Sequence, residues 1–263
     1  MILTTVNGQL NQHIDVTNRG FLYGDGLFET CKVKHQTIEY WREHQARLID
    51  GLIRLQFSKI TDICIRLDQY LKDAFRNQDK NAQYGLKIII TRNSTLRGYG
   101  VDESSVDIVI QLFHLPKPIW KKGVDIELSH VPISVNAALA GIKHLNRLDN
   151  VLAKSDLSVR NVDEAWMKCN NGIIHDGIQS NLFYKLENNW FTPPIDIAGV
   201  QGIERHVILK CRSDINLRIL HESEISQIKQ AFVTNRLQGA CPVLSINQKP
   251  LVNCQDYISH LFE

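Results

Sequence analysis

The stretch Asn136-Ala137-Ala138-Leu139-Ala140-Gly141-Ile142-Lys143-His144-Leu145-Asn146-Arg147-Leu148-Asp149-Asn150-Val151-Leu152-Ala153 decides how this chain is read. Its first half is small and apolar as far as Ile142. Its second half, from His144 on, carries apolar residues at helical spacing. One lysine, Lys143, stands at the join. The spacing predicts a helix over about 144–160, which puts Lys143 at the mouth of a helix N-terminus in apolar surroundings. Desolvation and the positive end of a helix dipole both disfavour an ammonium there. A neutral amine is the form that makes a Schiff base with a carbonyl group.

Working outward, alternating and apolar runs predict strands at Met1–Val6, Leu27–Lys34, Thr37–Tyr40, Tyr84–Thr91 and Val106–Phe113. Helical spacing covers 41–57, with Trp41, Leu48, Leu52 and Leu55 on one face, and 61–77. The segment from Asn18 to Gly26, rich in glycine and with an acid, reads as a loop. Pro116-Lys117-Pro118-Ile119-Trp120-Lys121-Lys122 reads as a linker between a smaller α/β domain (1–115) and a larger one (123–263) that carries Lys143. Strands are predicted at 124–130, 164–169 and 181–186, and near 218–221, 230–234 and 243–246. The fold class is mixed α and β (α+β) in two domains.

The chain has 263 residues and a formal net charge of +2, with the basic residues scattered. Nothing in that pattern suggests nucleic acid or an anionic membrane as partner. No apolar run approaches the length of about 18 residues that a membrane helix needs. The N-terminus lacks the basic start and long apolar core of a signal peptide. The six cysteines form no CxxC pair and no Cys/His spacing for a metal, so reduced thiols in a cytoplasmic protein are expected.

Three further features point to anion and ring chemistry. Gly199-Val200-Gln201-Gly202-Ile203-Glu204-Arg205 is a glycine-bearing turn that opens a predicted helix, where backbone N–H groups can take a phosphate. Arg47, one turn from the apolar stripe of the 41–57 helix, can reach inward to a phosphate. Asn170-Asn171-Gly172 predicts a hairpin followed by an acid, Asp176. A carboxylate facing a pyridine nitrogen would keep that nitrogen protonated and the ring an electron sink.

Taken in order, these segments resemble one family, the fold-type IV pyridoxal-phosphate enzymes. It includes D-amino-acid aminotransferases, branched-chain aminotransferases and aminodeoxychorismate lyases. The matching residues span nearly the whole chain. They are Arg19-Gly20 with Tyr23-Gly24-Asp25-Gly26-Leu27-Phe28-Glu29, His44 with Arg47-Leu48, and Gly141-Ile142-Lys143 with Leu145-Asn146. Ser180-Asn181-Leu182-Phe183 and Gly202-Ile203 with Arg205 complete the set. The resemblance implies pyridoxal 5'-phosphate as cofactor, with Lys143 as its Schiff base and as the acid and base of the reaction. It implies that Arg47, the turn at Gly202-Ile203 and the loop at Asn235 hold the phosphate, and that Asp176 faces the pyridine nitrogen. The family usually has glutamate at that last place, one methylene longer.

Within the family, Ala140–Leu148 and Arg97-Gly98-Tyr99 look most like the aminodeoxychorismate lyases. Such an enzyme releases 4-aminobenzoate and pyruvate from 4-amino-4-deoxychorismate, a small molecule with two carboxylates. Arg97, with Tyr99 beside it, is the implied carboxylate clamp, and Phe28 is implied to line the substrate site. The resemblance also implies a homodimer. The rival reading is a D-amino-acid or branched-chain aminotransferase. The D-amino-acid enzymes have a tyrosine where this chain has Phe28 and a histidine where it has Tyr99. A third reading, a cofactor-binding relative of weak activity, rests on the aspartate at 176.

Overall fold

The isoleucine run 88–90 forms the centre of an antiparallel sheet whose two faces differ. The computed structural model describes every residue except 11–12, 94–97, 102–104, 118–121, 161 and 263. The described chain divides into two compact units, and each is treated by itself.

The first unit comprises residues 1–116 together with 142–146. Its sheet is built from β1 (Leu3–Val6), β2 (Gln9–Leu10), β3 (Gly26–Lys34), β4 (Thr37–Ile38), β5 (Gln83–Arg92) and β6 (Val106–Phe113), in the order β2-β1-β6-β5-β3-β4. Residues of one parity, among them Leu27, Glu29, Cys31, Val33, Leu86, Ile88, Ile90, Ile108 and Ile110, are fully buried. Helices α2 (Trp41–Arg54) and α3 (Ile60–Phe75) pack on β3 and β6. Each helix turns one stripe inward: His44, Leu48, Gly51 and Leu52 from α2, and Ile63, Leu67 and Leu71 from α3. Residues of the other parity, including Phe28, Thr30, Lys87 and Ile89, are only half-buried. The predicted loop at 18–26 contains a short helix, α1 (Arg19–Tyr23). Its glycines hid it, but Asn18 caps it by accepting from Gly20 N and Phe21 N, and Gly24 ends it in the left-handed conformation.

The second unit comprises 117–141 and 147–263. Its elements are β7 (Val124–Leu128), α4 (Leu148–Arg160), β8 (Glu164–Lys168), β9 (Ile173–Gly177), β10 (Asn181–Leu186), β11 (Asn189–Thr192), α5 (Ile203–Cys211), β12 (Ile215–Leu217), β13 (Leu220–His221), β14 (Gln230–Asn235), β15 (Gly239–Ile246), β16 (Lys249–Pro250) and α6 (Gln255–Ser259). The strands form one sheet in the order β12-β11-β10-β14-β15-β7-β8-β9-β13, with β16 beside β15. β10 shows how it is buried on both faces. Leu182 and Tyr184 enter one cluster with Trp166 and Val233, while Phe183 enters another with Ile208 and Ile258. The Phe183 and Phe232 rings stack at 4.5 Å.

The predicted domain boundary at 116–122 is a cut at one place along the chain. The contacts are not, because residues 142–146 belong to the first unit. Phe28 N donates to Lys143 O (2.9 Å) and Leu145 N donates to Gly26 O (3.0 Å), so this segment lies along β3 where β4 does not. The approach needs a residue without Cβ at 26. A methyl there would stand 2.4 Å from the Ile90 carbonyl oxygen and 2.8 Å from Leu145. Gly26→Ala is expected to cost about 1–3 kcal/mol through this overpacking, read as a lowered thermal midpoint of the purified protein.

Candidate active site

The structure places Lys143 differently from the helix expectation. The helix starts at Leu148, five residues later, and Lys143 sits in extended backbone paired to the edge of β3. The reason is local. The Lys143 C=O and the Leu145 N–H are taken by β3, and Leu145 faces Gly26, so its apolar character serves the sheet and not a helix face. What the amine meets is the half-buried face of the sheet. Its Nζ lies 4.5 Å from the centre of the Phe28 ring, and Lys87 Nζ lies 5.3 Å from the same ring.

Arg47 is held by an acid on the strand it packs against. Its Nε donates to Glu29 Oε1 (2.8 Å) and its terminal nitrogen to Glu29 Oε2 (2.5 Å). His44, one turn earlier on α2, meets the same Oε2 through Nδ1 (2.6 Å). Burial alone would push the Glu29 carboxyl up, but the Arg47 guanidinium and His44 hold it down to about 2. Glu29, Cys31 and His44 have the donor set of a small metal site. The Arg47 fork already puts a positive charge on both Glu29 oxygens. Glu29 and His44 were quoted in the sequence as motif letters without a role. Their relation to Arg47 runs from strand to helix and has no spacing that a sequence reading could detect.

In the second unit, Asp176 ends up fully enclosed on β9. Its Oδ1 accepts from Gly177 N (3.1 Å) and Asn181 Nδ2 (2.9 Å), and its Oδ2 accepts from Val200 N (2.9 Å). A carboxylate offers about four acceptor positions, so one position on Oδ2 is left. Burial raises this acid to about 7, against the lowering effect of the three donors and of Arg205. Arg205 is itself buried, with Nε on Thr192 Oγ1 (3.3 Å) and a terminal nitrogen on the Pro193 carbonyl (2.8 Å).

The predicted phosphate turn and loop come together in this unit. α5 opens at Gly202 with no side-chain cap. A Cβ at Gly202 would overlap Asn181 Oδ1 at 1.9 Å, so only glycine fits there. Arg236 forms an ion pair with Glu204 and so ties the turn after β14 to the first turn of α5 beside Ile203. The Asn235 side chain shapes that turn, accepting from Leu237 N (3.0 Å) and Gln238 N (2.8 Å) and donating to the Gln179 carbonyl (3.3 Å). Close by in register, Thr234 pairs with Asn181. The hydroxyls of Thr234 and of neighbouring Ser180 are buried with no hydrogen-bond partner among the described residues. Buried O–H donors lacking an acceptor, beside an uncapped helix start, suit an oxyanion.

Of the expected substrate clamp, Tyr99 lies among the described residues of the first unit. Tyr99 is 87% exposed, tilted against Tyr23, with its loop held by Arg19 N–H groups on the Gly98 and Gly100 carbonyls (2.9 and 3.0 Å). Arg97 lies outside the described residues.

The fold is that of the fold-type IV pyridoxal-phosphate enzymes. The chain belongs to the amino-transferase class IV family, whose model matches residues 26–246. It is 28% identical to an aminodeoxychorismate lyase of Vibrio harveyi, over 92% of this chain and 90% of that one. It is 26% identical to a D-alanine aminotransferase of Bacillus licheniformis, over 92% and 87%. The crystal structure of 4-amino-4-deoxychorismate lyase from Pseudomonas aeruginosa superimposes with a TM-score of 0.88 at 29% identity, over 98% of this chain and 96% of that chain.

Two outcomes are expected. Glu29→Gln removes the charge that compensates Arg47 and should destabilise the protein by about 3–5 kcal/mol, read by denaturant unfolding, and should weaken cofactor retention. Asp176 has a folded value above its ordinary 3.8. Its contribution to the cofactor-free protein is therefore fully present below that value and is lost as pH rises through about 7. Asp176→Asn should flatten part of the fall in thermal midpoint across that window.

Proposed function

We propose that the chain is a lyase converting 4-amino-4-deoxychorismate to 4-aminobenzoate, a folate precursor, and pyruvate, with pyridoxal phosphate as its cofactor. The observation that carries this reading is the Phe28 ring 4.5 Å from Lys143 Nζ. That wall offers no hydroxyl to capture an α-carboxylate beside the reacting carbon, which a D-amino-acid aminotransferase needs. The lyase relatives add support, as does the match of Ala140–Leu148 to that branch of the family.

Pyridoxal phosphate, when bound, supplies an electron sink conjugated to the amine-bearing carbon. The chain's own residues do the rest. The Lys143 amine takes the proton from that carbon, the C–O bond to the enolpyruvyl group breaks, and the carbocycle becomes aromatic. The Lys143 ammonium then returns a proton to the departing enolpyruvate, giving pyruvate. Asp176 keeps the ring nitrogen protonated through its remaining acceptor position. Arg47, fixed by Glu29, the Gly202-Ile203 turn and the Asn235 loop serve the phosphate. Arg97 and Tyr99 serve the two substrate carboxylates.

We also infer a homodimer in the cytosol. Support for the dimer comes from the exposed side chains of Leu148, Val151, Leu152 and Val159 along α4. Support for the compartment comes from six free thiols. No helix among the described residues is long and apolar enough to cross a membrane.

Supplied with chorismate, glutamine and the upstream synthase, the protein is expected to form 4-aminobenzoate, and Lys143→Ala to lose this by about 10³-fold or more. D-alanine with 2-oxoglutarate reacting while no 4-aminobenzoate forms would establish the aminotransferase instead. Light scattering should give twice the chain mass, and Val151→Lys with Leu152→Lys should give the monomer.

A further inference from the structure

The buried acid that this mechanism does not use is Glu164, at the start of β8. It is 0% exposed. Its Oε1 accepts from its neighbour Ala165 N (3.0 Å) and from Ile178 N (2.9 Å). Its Oε2 is buried with no partner among the described residues. The preceding amide, Gly177 N, donates to Asp176 Oδ1. Two successive N–H groups, of 177 and 178, thus serve two different carboxyls, which flank the same turn of chain between β9 and β10.

We propose that Glu164 is a neutral, proton-bearing positioning residue behind Asp176, which leaves Asp176 as the carboxylate charge offered to the cofactor's ring nitrogen. The proposal rests on the cofactor reading above. Two negative charges enclosed this closely cannot both be sustained without water. The donor count decides where the proton sits. Asp176 receives three N–H donors on both oxygens and has the Arg205 guanidinium as its attracting cation. Glu164 receives two donors, both on one oxygen, and its other oxygen is where an O–H belongs.

The neighbours of Glu164 agree with this. On α4, Lys154 acts to lower it and Asn150 directs its amide to the Ile178 carbonyl (2.7 Å). From β9, Asp176 acts to raise it, and on β7 its register partner is the apolar Ile126. Burial outweighs the lowering effects and raises Glu164 to about 7.

The test is carbon NMR of the full, cofactor-free chain labelled only at glutamate carboxyls, so that Asp176 is silent. At about pH 6, one resonance is expected at the position of a protonated carboxyl, since exposed glutamates ionise well below this and Glu29 is held at about 2. Glu164→Gln should remove that resonance. Asp176→Asn should lower its titration midpoint, because the charge that Asp176 gains as pH rises through about 7 is gone. No protonated glutamate in the wild-type protein, a resonance unchanged in Glu164→Gln, or a midpoint unmoved by Asp176→Asn would each overturn the proposal. The wild-type spectrum decides the first point even if a variant fails to fold. None of these readings needs cofactor or substrate, so a failed lyase assay would leave them intact.

Discussion

Two backbone hydrogen bonds, Phe28 N to Lys143 O and Leu145 N to Gly26 O, carry the part of the candidate site that the first unit holds. They fix the lysine backbone to the edge of β3, so the direction of the amine is set by a sheet and not by a loop. The same strand then supplies the other parts. Phe28 faces the amine on the half-buried side, and Glu29 faces α2 on the buried side, where it holds Arg47. Strand alternation thus separates an apolar reacting wall from a charged anchoring pair by one residue. That one-residue step makes the Phe28-Glu29 dipeptide informative beyond its two letters.

Much of this could be read along the chain, and the parts that could not have a physical reason. Strand 106–113 and the helices from 41 and 60 are governed by their own periodicity, and they appear where the pattern put them. Lys143 stands beside the Phe28 ring and not at the mouth of a helix, which is where the spacing put it. Leu145 fits a helical stripe that continues through Leu148 and Leu152, yet its partner is Gly26, more than a hundred residues away. Periodicity cannot distinguish an apolar residue turned to a helix neighbour from one turned to a distant strand. The α1 helix was missed for a similar reason, since its stability comes from the Asn18 cap and not from apolar spacing.

Charge was harder to read than shape. Arg47, Asp176 and Asn235 each stood out as single residues, and each proved to be one member of a group. Glu29 and His44 orient Arg47, Asn181 and the Val200 amide engage Asp176, and Arg236 ties the Asn235 turn to α5. Glu164, first residue of the otherwise apolar Glu164-Ala165-Trp166-Met167, gave one usable signal: an acid in a strand that shows no polar alternation. The shorter acid at 176 is held by three backbone and amide donors that reach it.

The return of residues 142–146 to the first unit has a consequence for how the chain is made. When the ribosome has delivered the first 116 residues, the first sheet has all its long strands, but the edge of β3 from Gly26 to Phe28 still lacks its partner. An unpaired strand edge is a place where other chains can add. The nascent protein must carry that open edge until residue 145 emerges, by which time β7 of the second unit has also appeared. Neither unit is therefore a separable module in synthesis, and the segment bearing the reactive lysine also closes the first sheet.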